Sequence, residues 1–106
     1  MSKKIKKGLI IIGLTNLEAE VYLKLLELKK AKVSELTKAT KVTRTQLYPL
    51  LEKLVKKGLV KKIDKKVVIY EIIKPNKIVS LISKWKKDKI AILKEFENEL
   101  KKLEKK

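Results

Sequence analysis

The middle of the chain carries two stripes of apolar residues at helical spacing. They consist of Leu17, Val21, Leu25 and Leu28, and of Leu47, Leu50, Leu51 and Leu54. Steps of three and four residues place such side chains on one face of a helix. A capping box precedes each stripe, formed by Thr15 with Glu18 and by Thr43 with Gln46. The pattern predicts two amphipathic helices with defined starts, and Gly58 is expected to end the second.

The segments around the second stripe predict a helix-turn-helix followed by a wing. Residues 33–40 have the length and spacing of a short helix, and a turn at Lys41 separates them from the capped helix. Residues 59–63 and 67–73 are rich in β-branched side chains and flank a polar tip, as the strands of a hairpin do. The predicted fold class is mainly α with a small β-hairpin, a winged helix-turn-helix.

The two ends of the chain differ in character. Near the start, Ile5, Leu9 and Ile12 predict a short element that packs onto the domain. Residues 76–106 hold no glycine or proline, and apolar residues recur there at helical spacing. A single helix of this length measures roughly 45 Å, which is more than a small domain can cover. We therefore predict a winged-helix domain over residues 1–75 and a long, coiled-coil-like dimerisation helix over residues 76–106.

The apolar stripe of this long helix predicts a homodimer. The residues expected to pair are Trp85, Ile92, Leu93, Phe96, Leu100 and Leu103. Residues 94–106 hold five lysines and four glutamates, and alternating charge around an apolar stripe is typical of a coiled-coil flank. Trp85 beside the lysines of residues 84–89 also fits a membrane-surface helix, but such a helix keeps its polar face basic. The apolar run at residues 9–12 is too short to span a bilayer, so no membrane partner is expected.

Composition narrows the function. The chain of 106 residues has 29 basic and 12 acidic residues, a formal net charge of +17, and all the basic residues except Arg44 are lysine. It has no cysteine and no histidine, which excludes disulfide scaffolds, zinc fingers and Cys- or His-based catalysis. Three glycines cannot build a phosphate-binding loop. We therefore expect that the protein is not an enzyme and that it binds no metal or cofactor. We also expect an anionic partner to offset the positive charge, and nucleic acid is the first candidate.

Several segments resemble the archaeal TrmB-type transcriptional regulators over about residues 10–80. They are Ile12-Gly13-Leu14-Thr15, Glu18-Ala19, Val21-Tyr22-Leu23, Leu25-Leu26-Glu27-Leu28, Val42-Thr43-Arg44-Thr45, Leu47-Tyr48, Leu50, Leu54, Lys57-Gly58-Leu59-Val60, and Tyr70 with Pro75. The resemblance implies a winged helix that binds double-stranded DNA. Full-length sugar-sensing members carry a large effector domain for which 106 residues leave no room, so no small-molecule effector is expected. Lys41 replaces the usual turn glycine, and Pro49 predicts a bend in the recognition helix.

The predicted DNA-binding set lies on the recognition helix and the wing. It consists of Thr43, Arg44, Thr45, Gln46, Tyr48, Lys53, Lys61, Lys62, Lys65 and Lys66. Arg44 could make a two-pronged contact to guanine or contact a phosphate. Gln46 could contact adenine or remain hydrogen-bonded to Thr43 in the capping box. Tyr48 fits a thymine methyl, a phosphate or packing against the wing. Seven lysines against one aspartate in residues 53–66 match the footprint of phosphate binding. Tyr22 and Tyr70 are expected in the core.

Three functions remain open at this point. The first is a dimeric, sequence-specific transcription regulator with its recognition helices in successive major grooves, ~34 Å apart. The second is an architectural chromatin protein of similar build, whose binding is driven by charge and tolerates sequence. The third is a winged helix that binds the basal transcription machinery and binds DNA weakly. The first two place the protein in the cytoplasm, associated with the nucleoid.

Overall fold

The computed structural model describes residues 2–105 as five helices and a three-stranded sheet. The elements are α1 (Ser2–Ile11), α2 (Asn16–Leu28), β1 (Lys30–Lys32), α3 (Val33–Thr40), α4 (Arg44–Lys56), β2 (Val60–Asp64), β3 (Val68–Ile72) and α5 (Pro75–Glu104). Helices α3 and α4 form the helix-turn-helix, and the β2–β3 hairpin forms the wing. The predicted fold class is confirmed.

Both predicted capping boxes are present. The Thr15 hydroxyl oxygen accepts a hydrogen bond from the Glu18 amide at 3.1 Å, and Glu18 Oε1 accepts one from the Thr15 amide at 2.8 Å. At the start of α4, the Thr43 hydroxyl oxygen accepts from the Gln46 amide at 3.3 Å, and Gln46 Oε1 accepts from the Thr43 amide at 3.4 Å. Such caps satisfy amides that a helix start leaves without partners. They explain why α2 and α4 begin where the sequence predicts.

One hydrophobic core joins the helices to the sheet. Its largest fully buried side chains are Tyr70, Leu25, Leu36, Leu47, Leu51, Leu54, Val21 and Val60. Tyr22 is buried beside them, so the prediction of two core tyrosines is confirmed. Leu9 is buried and Ile12 packs against the core, whereas Ile5 is 37% exposed. The expectation for Ile5 was wrong, because α1 reaches the core only at its C-terminal end.

The sheet contains a strand that the sequence analysis missed. Strand β1 pairs antiparallel with β3, which also pairs antiparallel with β2, so the strand order is β1-β3-β2. Opposite Tyr70 lie Ala31 on one side and Lys62 on the other. Directly paired residues share a face of the sheet. Lys62 therefore lies on the core-facing side with Tyr70, and Lys61 lies on the opposite face, where it pairs with Glu71.

Helix α5 leaves the domain with its apolar stripe uncovered. It has 30 residues, none of them buried, and the molecule measures 61 × 29 × 27 Å. Ile78 packs against the core, and Trp85 lines a hollow near Leu59. The exposed apolar residues of α5 are Val79, Leu81, Ile90, Ile92, Leu93, Phe96, Leu100 and Leu103. No helix among residues 2–105 combines the length and the apolar character needed to cross a bilayer.

A glycine allows α5 to pass close to the end of α4. Gly58 has a φ of +78°, and a Cβ at this position would lie 3.2 Å from Leu81 Cδ1. Only glycine adopts such a φ without strain from its own Cβ. The end of α4 and the second turn of α5 therefore contact each other through Gly58, which positions the long helix against the winged domain.

Replacing Lys41 with glycine is expected to stabilise the protein. Lys41 has the left-handed values φ 62° and ψ 11°, and its amide donates to the Thr37 carbonyl at 3.0 Å. This conformation costs a residue with a Cβ about 1 kcal/mol. Lys41→Gly should therefore raise the free energy of unfolding by about that amount in urea titrations. Lys38→Gly within α3 removes the same charge and should lower it by about 0.5–1 kcal/mol. Destabilisation by both variants would contradict the strain at Lys41.

Candidate nucleic-acid interface

A groove of about 440 Å³ runs between the recognition helix α4 and the wing. Its polar lining comes from α4, from the hairpin and from the junction of β1 with α3. Helix α4 contributes Arg44, Tyr48 and Glu52, the hairpin contributes Lys62, Lys66 and Tyr70, and the start of α3 contributes Ser34 with the preceding Lys32. The structure therefore brings four residues of the predicted DNA-binding set together, namely Arg44, Tyr48, Lys62 and Lys66.

Helix α4 presents one polar face to this groove. Arg44, Tyr48 and Glu52 are spaced four residues apart, which places them along one side of the helix. The leucines of α4 fill the core on the other side. Arg44 Nη1 donates a hydrogen bond to the Tyr48 hydroxyl at 3.3 Å. This bond holds the guanidinium along the exposed face, at the N-terminal turn of the helix.

The residues at the start of α4 serve its cap. Gln46 Oε1 accepts from the Thr43 hydroxyl at 3.1 Å as well as from the Thr43 amide. A two-pronged contact to adenine uses both the oxygen and the nitrogen of a glutamine amide. Gln46 would have to release its cap to make that contact. Thr43, Thr45 and Gln46 are all exposed, and none of them lines the groove.

The wing lysines fall into two groups. Lys61 Nζ lies 3.4 Å from Glu71 Oε1, and Lys62 Nζ lies 3.6 Å from Glu52 Oε1. Lys65 and Lys66 occupy the hairpin tip, and neither has an ion-pair partner within 4.0 Å among residues 2–105. Both tip lysines are exposed. An exposed lysine with no intramolecular partner can meet a phosphate without first breaking an ion pair.

The remaining lysine of the predicted set lies on α4. Lys53 is exposed and does not line the groove. It follows Glu52 by one residue, and neighbouring residues of a helix point in different directions. Lys53 therefore lies beside the groove face of α4 and not on it.

The pKa of the Tyr70 phenol is affected by charged groups on both sides of the groove. Burial raises the pKa of Tyr70 above its ordinary value of 10.0, nearby Lys62 lowers it, and Glu52, Tyr48 and Asp64 raise it. Burial also raises the pKa of Tyr22 in the core. Tyr70 is therefore neutral at physiological pH, at a point where α4 and the wing act electrostatically on the same side chain.

Four polar residues that line the groove were not in the predicted set, namely Glu52, Lys32, Ser34 and Tyr70, of which Tyr70 was expected in the core. Glu52 is four residues beyond Tyr48, so helical spacing alone places it on the exposed face of α4. Lys32 and Ser34 have no comparable pattern, because they reach the groove only through the packing of α3 and β1. Glu52 changes the chemistry of the site, since it adds a carboxylate to an otherwise basic groove.

The fold and this basic groove define a winged-helix protein of the type found in transcription regulators. The sequence profile of the family "Sugar-specific transcriptional regulator TrmB" matches residues 9–76. The chain therefore belongs to the TrmB family, as its resemblance predicted. The match covers α2 to β3 and ends within the first turn of α5. A comparison with curated proteins gives no match.

Solved structures share the fold. The archaeal chromatin protein TrmBL2 superimposes with a TM-score of 0.74 at 23% identity, over 97% of this chain and 43% of its own. A possible transcriptional regulator from Methanosarcina mazei Go1 gives 0.74 at 20% identity, over 86% and 82% of the two chains. The ST1889 protein of the thermoacidophilic archaeon Sulfolobus tokodaii gives 0.71 at 24% identity, over 87% and 95%. The chain thus spans less than half the length of TrmBL2.

Proposed function

We propose that the protein is a dimeric transcription regulator that recognises specific sequences in double-stranded DNA. The observation that carries the proposal is the position of Arg44. The chain's one arginine lies on the exposed first turn of α4, held by Tyr48 in a groove whose other wall is basic. Recognition helices enter the major groove by their N-terminal ends. Arginine there makes two parallel hydrogen bonds to guanine that lysine cannot match.

The lysines supply the contacts that do not depend on sequence. With α4 in the major groove, the hairpin tip extends over the neighbouring sugar-phosphate backbone. Lys65 and Lys66 at the tip, Lys62 in the groove and Lys53 on α4 then meet phosphates. Thr45 adds a hydroxyl donor at the helix start, whereas Thr43 must release its bond to Gln46 Oε1 before it can donate to a phosphate. Such contacts set the position of the protein on the duplex, while base edges carry the sequence information. Lys61 faces away from the groove, and we propose no phosphate contact for it.

The exposed stripe of α5 supports a homodimer. Phe96 and Leu100 are 59% and 47% exposed, and they belong to a series that continues to Leu103. Contiguous apolar surface of this extent marks an interaction site. Charged residues flank the stripe, as they do in coiled coils. Two paired copies would present two recognition helices to successive major grooves, ~34 Å apart, on a palindromic site.

A second function, an architectural chromatin protein, is favoured by one observation. Lysine makes up all but one of the 29 basic residues, and lysine is a point charge that binds phosphate without geometric selectivity. TrmBL2, which shares the fold, is described as a chromatin protein with a novel mode of DNA binding. In this function the protein coats chromosomal DNA in the nucleoid, and Arg44 is one more phosphate ligand.

Selection of duplexes from a random-sequence pool distinguishes the two functions. We expect repeated binding and amplification to enrich a palindrome with half-sites about 10 base pairs apart, one helical turn. The enriched duplex should bind at least roughly 1,000-fold more tightly than a scrambled duplex of equal length at physiological salt. A pool that stays random, with an affinity ratio near one at every salt concentration, would establish the architectural function instead.

A further inference from the structure

The groove between α4 and the wing holds one carboxylate on its α4 wall, Glu52, and this residue is ion-paired across the groove. Glu52 Oε1 lies 3.6 Å from Lys62 Nζ, and the two side chains are 50% and 39% exposed. The pair is therefore open to solvent and to any ligand that enters the groove. A lysine in this position has two possible anionic partners, the carboxylate of Glu52 and a DNA phosphate.

Helix geometry places Glu52 too far from the base edges to read them. It follows Arg44 by eight residues, about 12 Å along the helix axis at 1.5 Å per residue. With Arg44 at the base edges, Glu52 lies toward the C-terminal end of α4, beside the wing. A carboxylate there meets the sugar-phosphate backbone, which repels it. Glu52 therefore changes the part of the binding free energy that comes from the sugar-phosphate backbone and does not depend on sequence.

We propose that Glu52 limits the sequence-independent affinity for DNA by competing with DNA phosphate for Lys62. By holding Lys62, Glu52 weakens binding to every sequence to the same degree. The affinity ratio between a selected and a random sequence is then unchanged, but random DNA stays unoccupied at protein concentrations that fill a site satisfying Arg44. The inference rests on the proposed function, since it requires DNA to occupy the groove.

The structure provides a matched control for the test. Glu71 pairs with Lys61 at 3.4 Å, in the same hairpin but on the opposite face of the sheet. Glu52→Gln and Glu71→Gln therefore remove the same charge and the same kind of ion pair. Only Glu52→Gln changes the groove. A difference in DNA affinity between the two variants would show that the position of the carboxylate matters. Equal affinities would show that only the net charge matters.

The test measures binding to a random-sequence duplex of about 30 base pairs, roughly three helical turns, across a salt series. We expect Glu52→Gln to bind about tenfold more tightly per chain near 0.1 M salt, with a slope of log K against log salt steeper by about one unit. Glu71→Gln should bind within about threefold of the parent chain, with its slope unchanged. In a Lys62→Gln background, Glu52→Gln should gain less than about threefold, because the lysine that Glu52 releases is absent. Lys62→Gln alone should weaken binding, because it removes the phosphate contact proposed for Lys62.

These outcomes separate the inference from the proposed function. Equal responses of the Glu52→Gln and Glu71→Gln variants, or a gain that persists without Lys62, would overturn the role of Glu52 while leaving DNA binding intact. Absence of duplex binding by the parent chain at low salt would instead overturn the proposed function. Urea unfolding of each variant provides a control, because a loss of hairpin stability would lower binding and could not steepen the salt slope.

Discussion

Placing a charge on the exposed stripe of α5 is expected to convert the protein from a dimer to a monomer. Phe96 is 59% exposed and lies four residues before Leu100 on the same face of the helix. In a paired helix its ring would be buried, and a buried unpaired carboxylate costs several kcal/mol. Phe96→Glu should therefore sediment as a monomer at micromolar concentration, whereas the parent chain should sediment as a dimer. A chain that ends near Ser83 should behave as the monomer does.

The matched control for this variant is Asn98→Glu. It introduces the same residue two positions away, on the opposite side of α5. We expect it to remain a dimer. DNA affinity should follow the oligomeric state, because linking two half-site contacts raises affinity by roughly 100-fold or more. The dimer hypothesis fails if the full chain sediments as a monomer, or if both substitutions act equally.

Arg44 and the wing-tip lysines are expected to control separate parts of the binding free energy. If Arg44 reads a guanine, Arg44→Ala should cost about 1–3 kcal/mol on the selected duplex and little on a random one. Lys65→Ala combined with Lys66→Ala should flatten the salt slope by roughly two units per chain, equally on both duplexes. The tip lysines suit this test because their removal breaks no ion pair within the described residues. Salt titrations of both variants on both duplexes measure the two effects.

Tyr48→Phe tests how much of the effect of Arg44 depends on its orientation by Tyr48. It removes the hydroxyl that accepts from Arg44 Nη1 at 3.3 Å and leaves the guanidinium in place. We expect a smaller loss on the selected duplex than Arg44→Ala causes, because a freed arginine can still reach a base.

Equal losses of affinity on selected and random duplexes for Arg44→Ala would make Arg44 a phosphate ligand. The architectural function would then be the better account of the protein.

Local interactions made much of the fold predictable from the sequence. A capping box joins residues three apart, so Thr15 with Glu18 and Thr43 with Gln46 mark the helix starts without any tertiary contact. The leucine stripe of α4 and the left-handed turn at Lys41 also involve only residues that are close together in the sequence. The order of helices, hairpin and long helix could be predicted on this basis. The family was predicted from the resemblance of several segments to it, and the basic recognition surface from the lysines of residues 53–66.

Contacts between distant residues determined the rest. Strand β1 holds only Lys30, Ala31 and Lys32, a sequence with low strand preference, and it forms because β3 provides a partner. The pairing of β2 with β3 assigns Lys62 to the face of Tyr70, beside the groove, and Lys61 to the opposite face. Side chains alternate along a strand, but only the register with its neighbour shows which alternate set faces the core. The ion pair between Glu52 and Lys62 arises in this way, since it depends on how the hairpin packs against α4.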